Sequence, residues 1–222
     1  MKKIIHPLLA VVALTASACA LAQSAGSISA SIGFTQIAPS VSSGNLSAPS
    51  LPGTQVSITN NSQLTGVVNY MVTNNIALSL PLGLGFKHDI NGAGAIAGVG
   101  KIAGTKALPI TLMGQYRFLD ANAAFRPYIG AGATYVKFYE TSGTGVLTAL
   151  TNPGGPATGV SFESKLAPTI QLGGIYNINP KWYVEASYSK TFISTRGTLT
   201  TGQTIDVKLD PSAYSLQLGY KF

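Results

Sequence analysis

The 222-residue chain contains one cysteine, one tryptophan, two histidines and few charges: Asp, Glu, Lys and Arg together make up 9% of it. A soluble domain carries roughly 25% charged residues, so this composition leaves too little polar side chain to cover a water-facing surface. Cys19 lies within the first 22 residues. Cleavage after Ala22 therefore leaves a chain without disulfides or thiol chemistry. His88 is then the one histidine remaining, and the seven acids are dispersed, so no metal-ligand cluster can be read. The basic residues form no run. A net charge of +7, about +5 once Lys2 and Lys3 are removed, argues against the concentrated patch that nucleic acid requires. Beyond Gln23 no stretch approaches the 18 to 20 apolar residues of a spanning helix.

What is present is alternation. Tyr214, Leu216, Leu218, Tyr220 and Phe222 share one parity, and Ser215, Gln217, Gly219 and Lys221 the other. A period of two marks a strand with one apolar face. Aromatics at its end fit the headgroup level of a bilayer. Seven further candidate strands precede it, near residues 27–37, 63–72, 76–86, 108–118, 125–139, 162–178 and 182–193; the last runs over 204–222. In the third, Ile76, Leu78, Leu80, Leu82, Leu84 and Phe86 fall on one parity. Pro81 removes a ladder donor there and predicts a bulge or irregularity, and Pro168 raises the same issue in the sixth.

The connections alternate in length. Short turns at 73–75, 119–124 and 179–181 carry the Asn, Asp and Pro that tight reversals need. Long Gly-, Ser- and Pro-rich connections fall near 38–62, 87–107, 140–161 and 194–203. This sorting predicts an all-β, eight-stranded, antiparallel up-and-down transmembrane β-barrel of the outer-membrane type, with long loops outside and both termini in the periplasm. Residues 1–22 read as a secretory signal peptide: Met1-Lys2-Lys3, an apolar stretch, then Ala20-Leu21-Ala22. The rival is a lipoprotein signal with Ala16-Ser17-Ala18 before Cys19. Residues 23–222 form a single barrel domain.

Several segments resemble the outer-membrane protein W (OmpW) family: Phe86-Lys87-His88-Asp89-Ile90, Leu108-Pro109-Ile110-Thr111-Leu112, Gln115-Tyr116-Arg117-Phe118, Phe125 to Gly132, Trp182-Tyr183-Val184-Glu185 and Gly219-Tyr220-Lys221-Phe222. The resemblance implies a monomeric barrel with a narrow, largely hydrophobic lumen that passes or binds small hydrophobic molecules. Partners would be the lipid bilayer, lipopolysaccharide and the barrel-assembly machinery, with Tyr220 and Phe222 as the C-terminal assembly signal. The alternative function is a plugged barrel acting through its loops, as a phage or bacteriocin receptor. Eight strands suffice for side chains or one small ligand, not for an aqueous porin.

By that resemblance Leu80 is a candidate hydrophobic lumen gate. Simple alternation instead turns the even-numbered leucines to lipid, and Ser187 and Ser189 stand where bulky lumen residues would be expected. Tyr116, Phe118, Tyr128, Tyr176 and Trp182, with Tyr183, read as an aromatic girdle near the short turns. Glu185 is opposite in parity to Trp182 and Val184, so it points inward, as an ion pair with Arg117 or Lys190. His88-Asp89 has no distinctive nucleophile or oxyanion site to act with, so no enzymatic activity and no cofactor are expected.

Overall fold

The computed structural model describes residues 23–222; the expected signal peptide and Cys19 lie outside the described residues. In a bilayer every backbone polar group must be satisfied within the protein, so strands can cross only as a closed ring. The sequence closes one. The barrel wall consists of β1 (Ile28–Ala38), β4 (Asn61–Met71), β5 (Ile76–Leu82) continued by β6 (Phe86–Gly94), β7 (Lys101–Arg117), β8 (Phe125–Gly143), β10 (Lys165–Asn177), β11 (Trp182–Thr191) and β14 (Ser212–Lys221). The ring order is β1-β4-β5-β7-β8-β10-β11-β14, all antiparallel. It closes where β1 pairs with β14, from Ser29↔Lys221 to Ala38↔Ser212. On its other edge β1 pairs with β4, from Ile28↔Tyr70 to Ile37↔Asn61. The chain is therefore an eight-stranded antiparallel barrel.

The long connections are not open loops. Beyond the wall, β2 (Ser42–Ser43), β3 (Thr54–Ile58), β9 (Val160–Phe162), β12 (Ser194–Leu199) and β13 (Thr204–Lys208) extend the strands upward. A second sheet runs β2-β13-β12-β9, while β3 adds to β6. The helix α1 (Gly145–Thr151) is started by Thr144, whose hydroxyl accepts from the Leu147 amide. Leu46, Ile90, Ile96, Ile102, Leu147, Leu199, Ile205 and Val207 bury one another into an apolar core inside this cap. The stretch 90–107 is thus mostly strand, because its apolar residues feed that core. This capped end is the loop end of the barrel. The opposite, turn end carries the short reversals at 72–75, 118–124 and 178–181 and both ends of the described chain.

The outer face holds a continuous band of exposed apolar residues: Ile32, Phe34, Leu64, Leu78, Leu82, Leu112, Ile129, Ile170, Leu172 and Leu216 among others. Lys87, Lys106, Lys137 and Glu140 stand outside it toward the loop end, so segment 87–106 lies beyond the lipid-facing band. Among the described residues no helix is long and apolar enough to cross a membrane.

The third strand breaks the pattern. Pairing of β5 with β7 runs from Ile76↔Tyr116 to Ser79↔Met113 and resumes only at Phe86↔Ala107. Between these points residues 80–85 face 108–112, one residue too many on the third strand, with no ladder between them. Pro81 cannot donate, and the glycines at 83 and 85 tolerate the bend. The extra residue inverts the side chains. Ser79 and Pro81 point inward below the bulge, whereas Phe86, His88 and Ile90 point inward above it. Phe86 therefore does not share the outward face of Ile76 to Leu84; it is buried in the lumen.

Candidate functional site

The lumen contains a cavity of about 160 Å³, bounded by residues from every wall strand. Threonines dominate its middle. Thr111, Thr134, Thr169 and Thr191 form a hydroxyl chain across four strands, with Oγ1···Oγ1 distances of 2.9, 2.6 and 2.9 Å. On the far side, Thr65 and Ser215 each hydrogen-bond Thr35, at 2.7 and 2.8 Å. The hydroxyls satisfy one another along the wall. Ile37, Val67, Pro81, Ala107, Pro109, Val136 and Phe138 complete an apolar chimney. Toward the loop end, Ile58, Phe138 and Leu209 also line a second, smaller apolar space inside the cap, so the two adjoin.

The cavity also reaches the wall. Leu82 and Leu84 line it yet are exposed on the outside, Leu84 by 79%. They sit opposite Leu108 and Pro109 at the unladdered stretch, where no backbone pairing joins the third strand to β7, and the pairing of β5 with β4 also ends at Leu82.

At the turn end the lumen is shut. Tyr128, Ile175 and Tyr183 pack together, each 2% exposed or less. Gly219 is required there, because the Tyr183 ring occupies the space a Cβ would take. The Tyr128 hydroxyl donates to Glu185 Oε1 at 2.5 Å. Below them lies a polar plug. Arg117 donates to Gln115 Oε1, and Gln115 in turn donates to Gln171 at 2.9 Å. Arg126, fully buried, donates to Gln23 Oε1 at 3.0 Å and to the Asn74 carbonyl at 2.6 Å. Lys221 and Gln23 both donate to Asn177 Oδ1.

The structure places the sequence-derived candidates unevenly. Leu80 is 40% exposed, on the outward face, and does not border the cavity; its neighbours Ser79 and Pro81 do. The lumen-gate expectation for Leu80 is thus corrected, since below the bulge the strand keeps simple alternation. Tyr116, Phe118, Tyr176 and Trp182 are exposed at the turn end, and Tyr116–Phe118 and Trp182–Tyr220 make edge-to-face ring contacts at 5.0 and 5.1 Å. Tyr128 is not part of that girdle: it is 2% exposed and faces inward, on the same parity as Arg126. Tyr183 is likewise a lumen residue. Tyr220 and Phe222 stack edge-to-face at 5.3 Å, and the Phe222 amide donates to the Ile28 carbonyl at 3.0 Å.

Glu185 does point inward, but its partner is Tyr128 rather than Arg117 or Lys190. Lys190 instead donates to Ser40, Ser212 and the Asp210 carbonyl. His88 and Asp89 do not form a dyad. The imidazole Nδ1 donates to the Thr59 carbonyl at 2.7 Å, while Asp89 pairs with Lys101 at 2.6 Å on the exposed side. Burial holds the His88 imidazole below its ordinary pKa. The threonine belt escaped the sequence reading, although Thr65, Thr111, Thr134, Thr169 and Thr191 all sit on inward parities of their strands.

Comparison with known proteins agrees with this geometry. A family model described as the OmpW family matches residues 24–222. The outer membrane protein W of Escherichia coli K12 is 34% identical over 228 residues, covering all of both chains. That of Vibrio cholerae is 32% identical over 220 residues, covering 96% of this chain and 97% of the relative. Among solved structures, the outer membrane protein OprG of Pseudomonas aeruginosa superposes with a TM-score of 0.79 at 24% identity, over 91% of this chain and 98% of that one, which shows a shared fold. The chain belongs to the OmpW family of bacterial outer-membrane β-barrels, which are not enzymes.

Proposed function

We propose that this barrel admits small hydrophobic molecules at its loop end and releases them sideways into the lipid. One observation carries the reading: an apolar cavity that is sealed at the turn end yet continues to the outer surface at residues 80–85 and 108–112. A solute leaving toward the turn end would have to part Tyr128, Ile175 and Tyr183 and then three buried cations. Leaving through the wall requires only displacement of Leu82, Leu84 and Leu108, with no ladder hydrogen bond to break. The apolar space in the cap would serve as the vestibule. Under this reading the turn end faces the periplasm. The barrel works as a monomer, Tyr220 and Phe222 are offered to the assembly machinery, and the loop-end lysines meet lipopolysaccharide.

The test is uptake of a long-chain alkane by cells producing the protein, beside planar-bilayer recordings of the refolded chain. Alkane entry should rise with the wild type and fall to background in Ala107→Trp, which fills the cavity where it meets the wall. Equal uptake with and without the protein, from barrels verified as folded, would refute the proposal and turn attention to the cap as a surface-interaction element.

A further inference from the structure

The floor of the apolar cavity carries two buried acceptors without donors. Glu185 and Gln217 are Cα partners across β11 and β14, each is 3% exposed, and both line the cavity bottom. Glu185 Oε1 accepts from Tyr128, but Oε2 receives no hydrogen bond from any described residue. Gln217 donates through Nε2 to Thr65 Oγ1 at 3.0 Å, and its Oε1 likewise receives none. Two acceptors thus stand unpaired at the base of a largely apolar chimney. A buried acceptor left unpaired carries its full desolvation cost, so a donor delivered there gains more than an ordinary hydrogen bond.

Charge narrows the class of donor. Immediately beyond the floor lie Arg117, Arg126 and Lys221, each engaged by its own acceptors and none bordering the cavity. An ammonium head would sit above three cations, and a carboxylate head would sit against Glu185. A neutral donor is the one head that neither opposes. We infer that Glu185 and Gln217 form a head-group subsite for a neutral hydroxyl, aliphatic or aromatic, whose apolar body lies along the threonine belt. This rests on the uptake reading above and sharpens it: the preferred solute is an alcohol or phenol with an apolar body, held at the floor before it turns to the wall.

The test uses the refolded full barrel in lipid nanodiscs, titrated with 1-decanol, decane, decylamine and decanoate at matched bilayer mole fraction. The readout is the shift of the Gln217 side-chain amide and the Tyr128 ring. A single hydrogen bond to a carboxyl group corresponds to about tenfold in affinity. 1-Decanol is expected to bind about tenfold tighter than decane, and both charged decyl compounds more weakly than the alcohol. Gln217→Leu should cut the alcohol's advantage several-fold while leaving decane unchanged. Glu185→Gln, which removes the charge and adds a donor, should move decanoate up relative to decanol. Heat-modifiable migration verifies folding of each variant. Equal affinity for decanol and decane in the wild type overturns the subsite and leaves hydrophobic uptake standing. Failure of all four to bind in the cavity overturns both.

Discussion

Replacing Arg126 by Met should destabilise the barrel by unfastening its turn end. The guanidinium is completely buried at the turn end and reaches three separate segments. Two of its bonds are well formed: Nη1 to Gln23 Oε1 at 3.0 Å and Nη2 to the Asn74 carbonyl at 2.6 Å. The three others, to the carbonyls of Phe118, Arg117 and Leu119, run to 3.3–3.4 Å, near the limit at which a bond contributes. Hydrogen bonds from a charged donor are worth at least about 1.5 kcal/mol each, so the two short ones give about 3 kcal/mol. Met fills the stem's volume, which limits the cavity cost. The orphaned carbonyls of 74 and 118–119 lie in turns that water can reach. Urea titration of the refolded barrel in lipid vesicles would measure the change. Trp182, the chain's one tryptophan, reports unfolding from the girdle itself. A loss of about 3 kcal/mol, roughly a hundredfold in the folding constant, is expected. A loss below about 1 kcal/mol would refute the view that Arg126 ties the turn end together.

Further outcomes follow from the same geometry. Thr134→Val keeps shape but removes the hydroxyl that bridges Thr111 and Thr169; a loss of about 1–2 kcal/mol in the same titration is expected, and none would mean the belt is incidental. Gly219→Val forces a side chain into the Tyr183 ring, and slower, incomplete refolding should appear as a larger heat-sensitive fraction on gels. His88 gives a pH dependence. Its folded pKa lies below the ordinary value near 6.5, so on acidification the unfolded chain takes up the proton first. Stability should hold above about pH 6.5 and decline below it, and His88→Phe should flatten that decline.

How much of this was legible in the chain differs by feature. The ring of eight could be read because each wall strand alternates and because the short reversals carry Asn, Asp and Pro. Closure needed no long-range information beyond an even count. The parity of the third strand could not be carried past Pro81. Alternation extrapolates only while the ladder is regular, and a single extra residue at 83–85 turned Phe86 inward. Tyr128 was misplaced because an aromatic near a turn fits a girdle equally well. The signal that separates the two lay beside it: Arg126 shares its parity, and a charge in a lipid-crossing strand is more readily placed toward the lumen than toward lipid. Glu185 was readable by that same rule, and it would have carried Tyr183 inward with it. The structured cap stayed hidden since Gly-, Ser- and Thr-rich connections give little period, and the isoleucines and leucines that build its core are scattered over several segments.

The threonine belt has a consequence for water. A column of liquid inside a pore persists when the wall offers it hydrogen bonds, and here the wall hydroxyls already hold one another. Those bonds occupy hydroxyl capacity that water would otherwise use, so the belt holds a thread of water less firmly than a count of its hydroxyls implies. Sodium or chloride, which travel only with their hydration shells, gain little there. An oily molecule has no such shell to lose. The belt can thus disfavour hydrated ions with no moving part, from side chains that a composition count would score as polar.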